Sequence, residues 1–282
     1  MADTTASYRE PLLFLLFTAF VGGCNGKPIP GGDGPSGSSS AAIADARLMA
    51  YSDEALRTAN RRKKDYGLGE HVAFTQYLEP GVVAGTRIST PTIGTLETPS
   101  GSIVAADPFN VSEEKPFKRR VDPGRYPVKV ALVDAGTWGE MVAFAFIRFG
   151  DAQPSRWEPA ETTLEGMGEG MNTIYPVDSG MGCFADPSAA QALGRSMATF
   201  RAEHRDGDYY TNVIAPAAAG KRWVDFHPEK ESKSNVIMFS SGLGDALMYG
   251  SYWGFDDSGA ATVLLTDFEL FDLEGSIFRE GP

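Results

Sequence analysis

Beyond Tyr66 the apolar positions fall mostly at every second residue, the spacing of strands, while two stretches keep the three- and four-residue spacing of helices. The densest apolar, aromatic and glycine run spans Asn235 to Leu270. Within it Val236–Ser240, Leu247–Phe255 and Ala261–Leu270 read as strands, separated by the turn signals Ser241–Asp245 and Asp256–Gly259. This predicts a sheet core with a hairpin inside it. Two further strong strands, Tyr126–Asp134 and Met141–Phe149, flank the loop Ala135-Gly136-Thr137-Trp138 and predict a second hairpin. Tyr126, Val128, Val130 and Leu132 share one face of the first, and Val142, Phe144 and Phe146 one face of the second. Both opposite faces are also apolar, so the pair is expected in a sheet interior or between two layers.

Shorter strand candidates are His71–Leu78, Val82–Ile88, Gly94–Glu97, Ser102–Ala106 and Asn172–Asp178, and the acidic, glycine-rich run Gln153–Gly170 is expected to wrap the surface. Asp186 before Pro187 is an N-cap followed by proline at the first helical position. It opens a helix to about His204 with Ala190, Leu193, Met197 and Phe200 on one side. The other helical stretch, Ala41–Lys64, carries Ile43, Leu48, Met49 and Leu56 and ends in the basic run Arg61–Lys64. The pattern as a whole predicts a mostly β (α+β) protein: two packed antiparallel sheets, a β-sandwich, with one or two peripheral helices.

The N-terminus changes the picture from fold to location. Arg9 precedes the apolar segment Leu12–Val21, then Gly22, Gly23 and Cys24. About ten apolar residues are too few for a bilayer span, which needs roughly 20, but they suit an export signal. Val21-Gly22-Gly23-Cys24 resembles a bacterial lipobox, whose cysteine carries lipid and begins the mature chain. Asn25–Ser40, rich in Gly, Pro and Ser, cannot bury enough surface to offset its ordering entropy and reads as a tether. The expected organisation is a lipoprotein signal peptide over 1–23, a flexible tether over 24–40, a helical lead-in over 41–65 and a β-rich globular domain over 66–282. The expected location is the bacterial cell envelope, lipid-anchored and extracytoplasmic. At 282 residues and 42% hydrophobic the chain can build one large core. Its net charge of −12, an acidic protein, argues against a nucleic-acid partner.

Four blocks occur in order: Gly94–Phe109, Asp122–Val128, Tyr175–Asp186 and Phe239–Phe268. Together they resemble the bacterial domain-of-unknown-function 4241 family over roughly Gly94 to Leu270. The family pattern has a second glycine after Gly244-Asp245 where this chain has Ala246. The resemblance implies a fold and no established reaction.

Candidate chemistry is sparse. Ser240 and Ser241 lack the Gly-x-Ser-x-Gly frame of a nucleophile elbow, and His71, His204 and His227 stand in unrelated contexts. Cys183, between Gly182 and Phe184, reads as a small buried apolar group rather than a thiolate. Seven aspartates, Asp107, Asp122, Asp178, Asp186, Asp245, Asp256 and Asp267, sit mostly in turns or at strand ends. Such oxygen-rich positions leave Ca²⁺ or Mg²⁺ as the candidate ion, with no other cofactor predicted, although Asp is also the commonest turn-former. Asp267 differs, for it interrupts an apolar strand and needs a partner such as Arg125, Arg148 or amides of the Ser241–Asp245 turn. In Leu247–Phe255, Tyr252 projects between Gly250 and Gly254, either beneath a closely packed layer or as an aromatic ligand floor.

Ser241, Asp245, Tyr252 and Asp267 are therefore the candidate ligand-binding residues and Cys24 the lipidation site; no catalytic or metal-ligating set can be named. The expected partners are the lipid membrane, through Cys24, and a protein or small ligand. The expected role is a lipid-anchored extracytoplasmic binding module, immunity-like. The alternative is a hydrolase, divalent-cation-dependent, using Ser241, Asp245 and Asp267.

Overall fold

Two long neighbouring strands, β5 (Gly124–Asp134) and β6 (Glu140–Arg148), form the spine of the larger of two sheets. The computed structural model describes residues 74–136, 139–164, 171–229, 232–242 and 247–271. The expected signal, tether and helical lead-in, including Cys24, and also His71 and Asp245, lie outside the described residues.

The larger sheet begins with a tight hairpin, β1 (Gly81–Val83) and β2 (Thr86–Ser89), so the expected strand Val82–Ile88 is two strands. Ala84 and Gly85, both at positive φ, make the turn between them. The sheet runs β1-β2-β5-β6-β13-β12-β7, where β7 is Arg156–Pro159, β12 Leu247–Phe255 and β13 Ala261–Asp267. Strand β3 (Thr92–Thr98) also pairs with β5, and β8 (Ile174–Val177) with β12. The smaller sheet runs β10-β11-β9-β4, from Trp223–Phe226, Val236–Ser240, Met181–Ala185 and Val104–Ala106. Every pairing is antiparallel. The protein is thus mostly β with two packed sheets. The apolar stretch Asn235–Leu270 is divided between them: its first strand belongs to the smaller sheet, and the hairpin β12–β13 to the larger.

Three apolar clusters define the layers. Val128, Val130, Ile147, Tyr249, Trp253 and Leu264 of the larger sheet meet Ala105, Phe184, Ile237 and Phe239 of the smaller. The other face of the larger sheet, with Phe144, Phe146, Tyr252 and Leu265, packs against Phe74, Tyr77, Leu270 and Phe271. The outer face of the smaller sheet, with Cys183, Val236 and Met238, lies under helix α1 (Pro187–Glu203) through Ala190, Leu193 and Met197. Beyond α1 the chain forms a π-helix, Tyr210–Ile214, that runs into the short α2 (Ala215–Ala218).

Three differences from the sequence reading have physical causes. Leu132 pairs with Val142 while Ala131 pairs with Phe144, so Ala143 is an extra residue in β6. That bulge reverses the faces beyond it: Val142 points between the sheets, but Phe144 and Phe146 point to the outer layer. The described part of the expected strand His71–Leu78 is instead a 3-10 turn at Thr75–Tyr77, since Phe74, Tyr77 and Leu78 are spaced to bury on one side of a helical turn. Gln153–Gly170 does not simply wrap the surface, because Arg156–Pro159 pairs with β12 and buries Trp157 completely.

Candidate functional site

Of the candidate ligand residues, Ser241, Tyr252 and Asp267 are described, and Gly242 beside Ser241 lies against Phe268 beside Asp267. Gly250 is opposite Asp267 and Tyr252 opposite Leu265, which puts Asp267 and Tyr252 on the outer face of the larger sheet. There Tyr252 packs 4.8 Å from the ring of Phe74. Ser241 is buried; its carbonyl accepts the hydroxyl of Tyr249 at 3.5 Å and its amide donates to Gly180 O. Gly254 carries no side chain because Pro154 and Trp157 occupy its space: an added Cβ would lie 2.8 Å from Pro154 Cγ. The layer over Tyr252 is therefore protein at this end.

Asp267 is fully buried and its Oδ1 accepts the Glu269 amide at 2.8 Å. The two arginines considered for it are engaged elsewhere, Arg125 with Glu97 at 3.2 Å and Arg148 with Glu79 at 2.6 Å. Three of the other aspartates, Asp107, Asp186 and Asp256, act as fasteners. Asp107 accepts the amides of Phe109, Asp178 and Ser179. Asp186 caps α1 through Ser188 and binds Thr98 and Ser100 through its other oxygen. Burial would raise its pKa, but the hydrogen bonds from Ser100 and Ser188 outweigh burial and hold the carboxyl below its usual range. Asp256 closes the β12–β13 turn by accepting from Ser258 and Ala260. Among the described residues no three acidic, cysteine or histidine side chains gather as a metal site.

Cys183 is fully buried, and burial pushes its thiol well above the usual value. His204 stacks on Phe200 at the end of α1, and His227 lies 3.5 Å from Asp225. Asp225 in turn accepts the Asn235 side chain, whose amide group also binds Thr95 O and Glu97 N of β3. Buried Asn235 thereby stitches the two sheets together, a role that sequence offered no sign of.

A concave feature lies where no motif pointed. A groove of about 610 Å³ opens between α1, the π-helix and β10. Ser196, Thr199, Phe200 and Glu203 come from α1, Tyr209 from the π-helix side, and Phe226 from β10. Tyr209 Oη and Ser196 Oγ are 2.8 Å apart, and Phe200 meets Tyr209 edge to face at 5.4 Å. Burial raises the Tyr209 pKa, against the lowering effect of Ser196, so its hydroxyl stays protonated. At one rim Arg195 pairs with Glu229 at 2.7 Å. The signal for this groove was a second stripe along α1, at 192, 195, 196, 199, 200 and 203, beside the apolar one.

Fold and site together define a two-sheet β protein with a helix-covered outer face and an open groove beside that helix. The chain belongs to the DUF4241 family of proteins of unknown function, whose pattern it matches over residues 96–266. No curated protein and no solved structure matches it.

Proposed function

We propose that this chain is a non-catalytic binding module of the bacterial cell envelope, immunity-like in role, anchored by lipid on Cys24 and held off the membrane by its tether. The observation that carries the reading is the groove beside α1. Its volume of about 610 Å³ is in the range of ligand sites, and aromatic walls with a few polar groups are the usual lining of such sites. Phe200, Tyr209 and Phe226 suit an apolar or aromatic body, and the Arg195–Glu229 pair suits a polar end. A small ligand of that kind, or a protruding side chain of a partner protein, would be held by shape. Asp107 and Asp186, by contrast, are spent on amides and hydroxyls, and Oδ1 of Asp267 on the Glu269 amide.

Ligand-observed NMR with a fragment set tests the proposal. Fragments with a ring and a polar end should bind the wild type and be lost with Thr199→Trp, which fills the groove from an exposed helix position, at unchanged melting temperature. Equal binding by both proteins would discard it.

A further inference from the structure

The loop before β5 holds Lys118, Arg119 and Arg120 in sequence, a basic run in a chain of net charge −12. Its charges are not spent alike. Lys118 pairs with Glu161 at 2.8 Å, and Arg120 donates to Ser100 O. Arg119 makes no hydrogen bond or ion pair among the described residues, yet its guanidinium carbon lies 4.7 Å from the ring centroid of Phe255. Arg156 reaches the same ring at 4.4 Å. Two cations thus converge on one buried phenyl ring, separated by no more than the sum of those distances. Arg156 is paired with Glu158, so of the two it is Arg119 whose charge meets no carboxylate among the described residues.

We propose that Arg119 and Arg156, held against Phe255, form a binding site for a phosphate-type oxyanion. A guanidinium over an aromatic face is held through its own face and keeps its in-plane N–H donors for another partner. Planar donors of this kind match the oxygens of phosphate in paired, charge-assisted hydrogen bonds. A dianion also offsets the charge of both guanidiniums, competing with Glu158 for Arg156.

Both arginines are held on fixed supports, so little ordering is needed when the anion arrives. Arg156 is the direct cross-strand partner of Phe255 between β7 and β12. The Arg119 loop is fastened on each side, Phe117 N to Ile103 O, Lys118 N to Glu161 O and Val121 N to Gly101 O. The last contact is so close that a Cβ on Gly101, at φ +71°, would overlap Val121 O. This site is separate from the groove beside α1 and does not depend on it.

The full chain in an uncharged detergent is titrated with inorganic phosphate by calorimetry at constant ionic strength. Flotation of the Cys24→Ala chain, and of the arginine variants in that background, with phosphatidylglycerol-containing vesicles against pure phosphatidylcholine forms a second arm, free of the proposed anchor. We expect saturable phosphate binding that weakens about tenfold or more in Arg119→Gln and in Arg156→Gln, less in Arg119→Lys, and not in Arg195→Gln on the α1 face. Binding to anionic vesicles with the same variant pattern, but without saturable phosphate binding, would assign the anion to a lipid headgroup and supports the site equally. No binding in either arm, or equal binding by wild type and Arg119→Gln at matched melting temperatures, overturns the proposal.

Discussion

Asp186 shows how much one carboxylate does here. It is buried and takes hydrogen bonds from Ser188 next to it and from Thr98 and Ser100, 88 and 86 residues away in sequence. Its folded pKa lies below the ordinary value, so near pH 4 the unfolded chain holds more protons at this position than the folded one. The resulting stability is fully present above the unfolded value of about 3.9 and is lost as pH falls through the folded value. Asp186→Asn should therefore cost about 1–2 kcal/mol at neutral pH, and the gap to wild type should narrow as pH falls through the lowered folded value of Asp186. Urea unfolding over a pH series measures both. The cap was legible from Asp186-Pro187, but Thr98 and Ser100 were not, since no local pattern joins residues so far apart. Cys183 gives a second outcome at this scale. In a Cys24→Ala chain it should resist a disulfide thiol reagent at pH 8 and react fully in urea, because burial both shields the thiol and disfavours its thiolate. Reaction in the native state at the rate of a free thiol would contradict this.

Among the elements, β12 and α1 were the most readable, because alternation and capping act within a few residues. The helix occupies Pro187–Glu203 with His204 as its C-cap, close to the expected span. β6 was readable as a strand but not in its orientation. The Ala143 bulge moves Phe144 and Phe146 from the face of Val142 to the other face, and nothing in an apolar run marks which residue is unpaired. Deleting Ala143 should make Val142 and Phe144 successive partners of Leu132 and Ala131, so that β6 alternates regularly and its phenyl rings keep the outer face. We expect a cooperative fold with a loss of no more than about 3 kcal/mol, against about 1 kcal/mol for Ala143→Gly, as read by denaturant unfolding; failure to fold would contradict the assignment of Ala143 as the unpaired residue. The glycine face of β12 belongs to the same scale. Tyr252 was open to two readings, and at Gly254 the space is taken by Pro154 and Trp157.

At the scale of the whole molecule, the lipobox-like Cys24 leads to an expectation about location. Palmitate should label the wild-type chain in a bacterial host, and Cys24→Ala should abolish the label and release the protein from the membrane fraction. Retention of label in Cys24→Ala would remove the anchor from the proposed function.

By itself the sequence determined the long strands and the capped helix, the two-sheet β class and the family, because apolar period, turn residues and helix caps are local properties. Only the tertiary structure decided which sheet each strand joined, which face followed the bulge, and which distant side chains met. Val236–Ser240 and Leu247–Phe255 are near neighbours in sequence and lie in different sheets. Gly242 beside Ser241 lies against Phe268 beside Asp267, and Arg119 and Arg156, from separate segments, meet on Phe255. Strand pairing and layer packing create these neighbours, and both depend on the energy of the assembled core rather than on any window of residues.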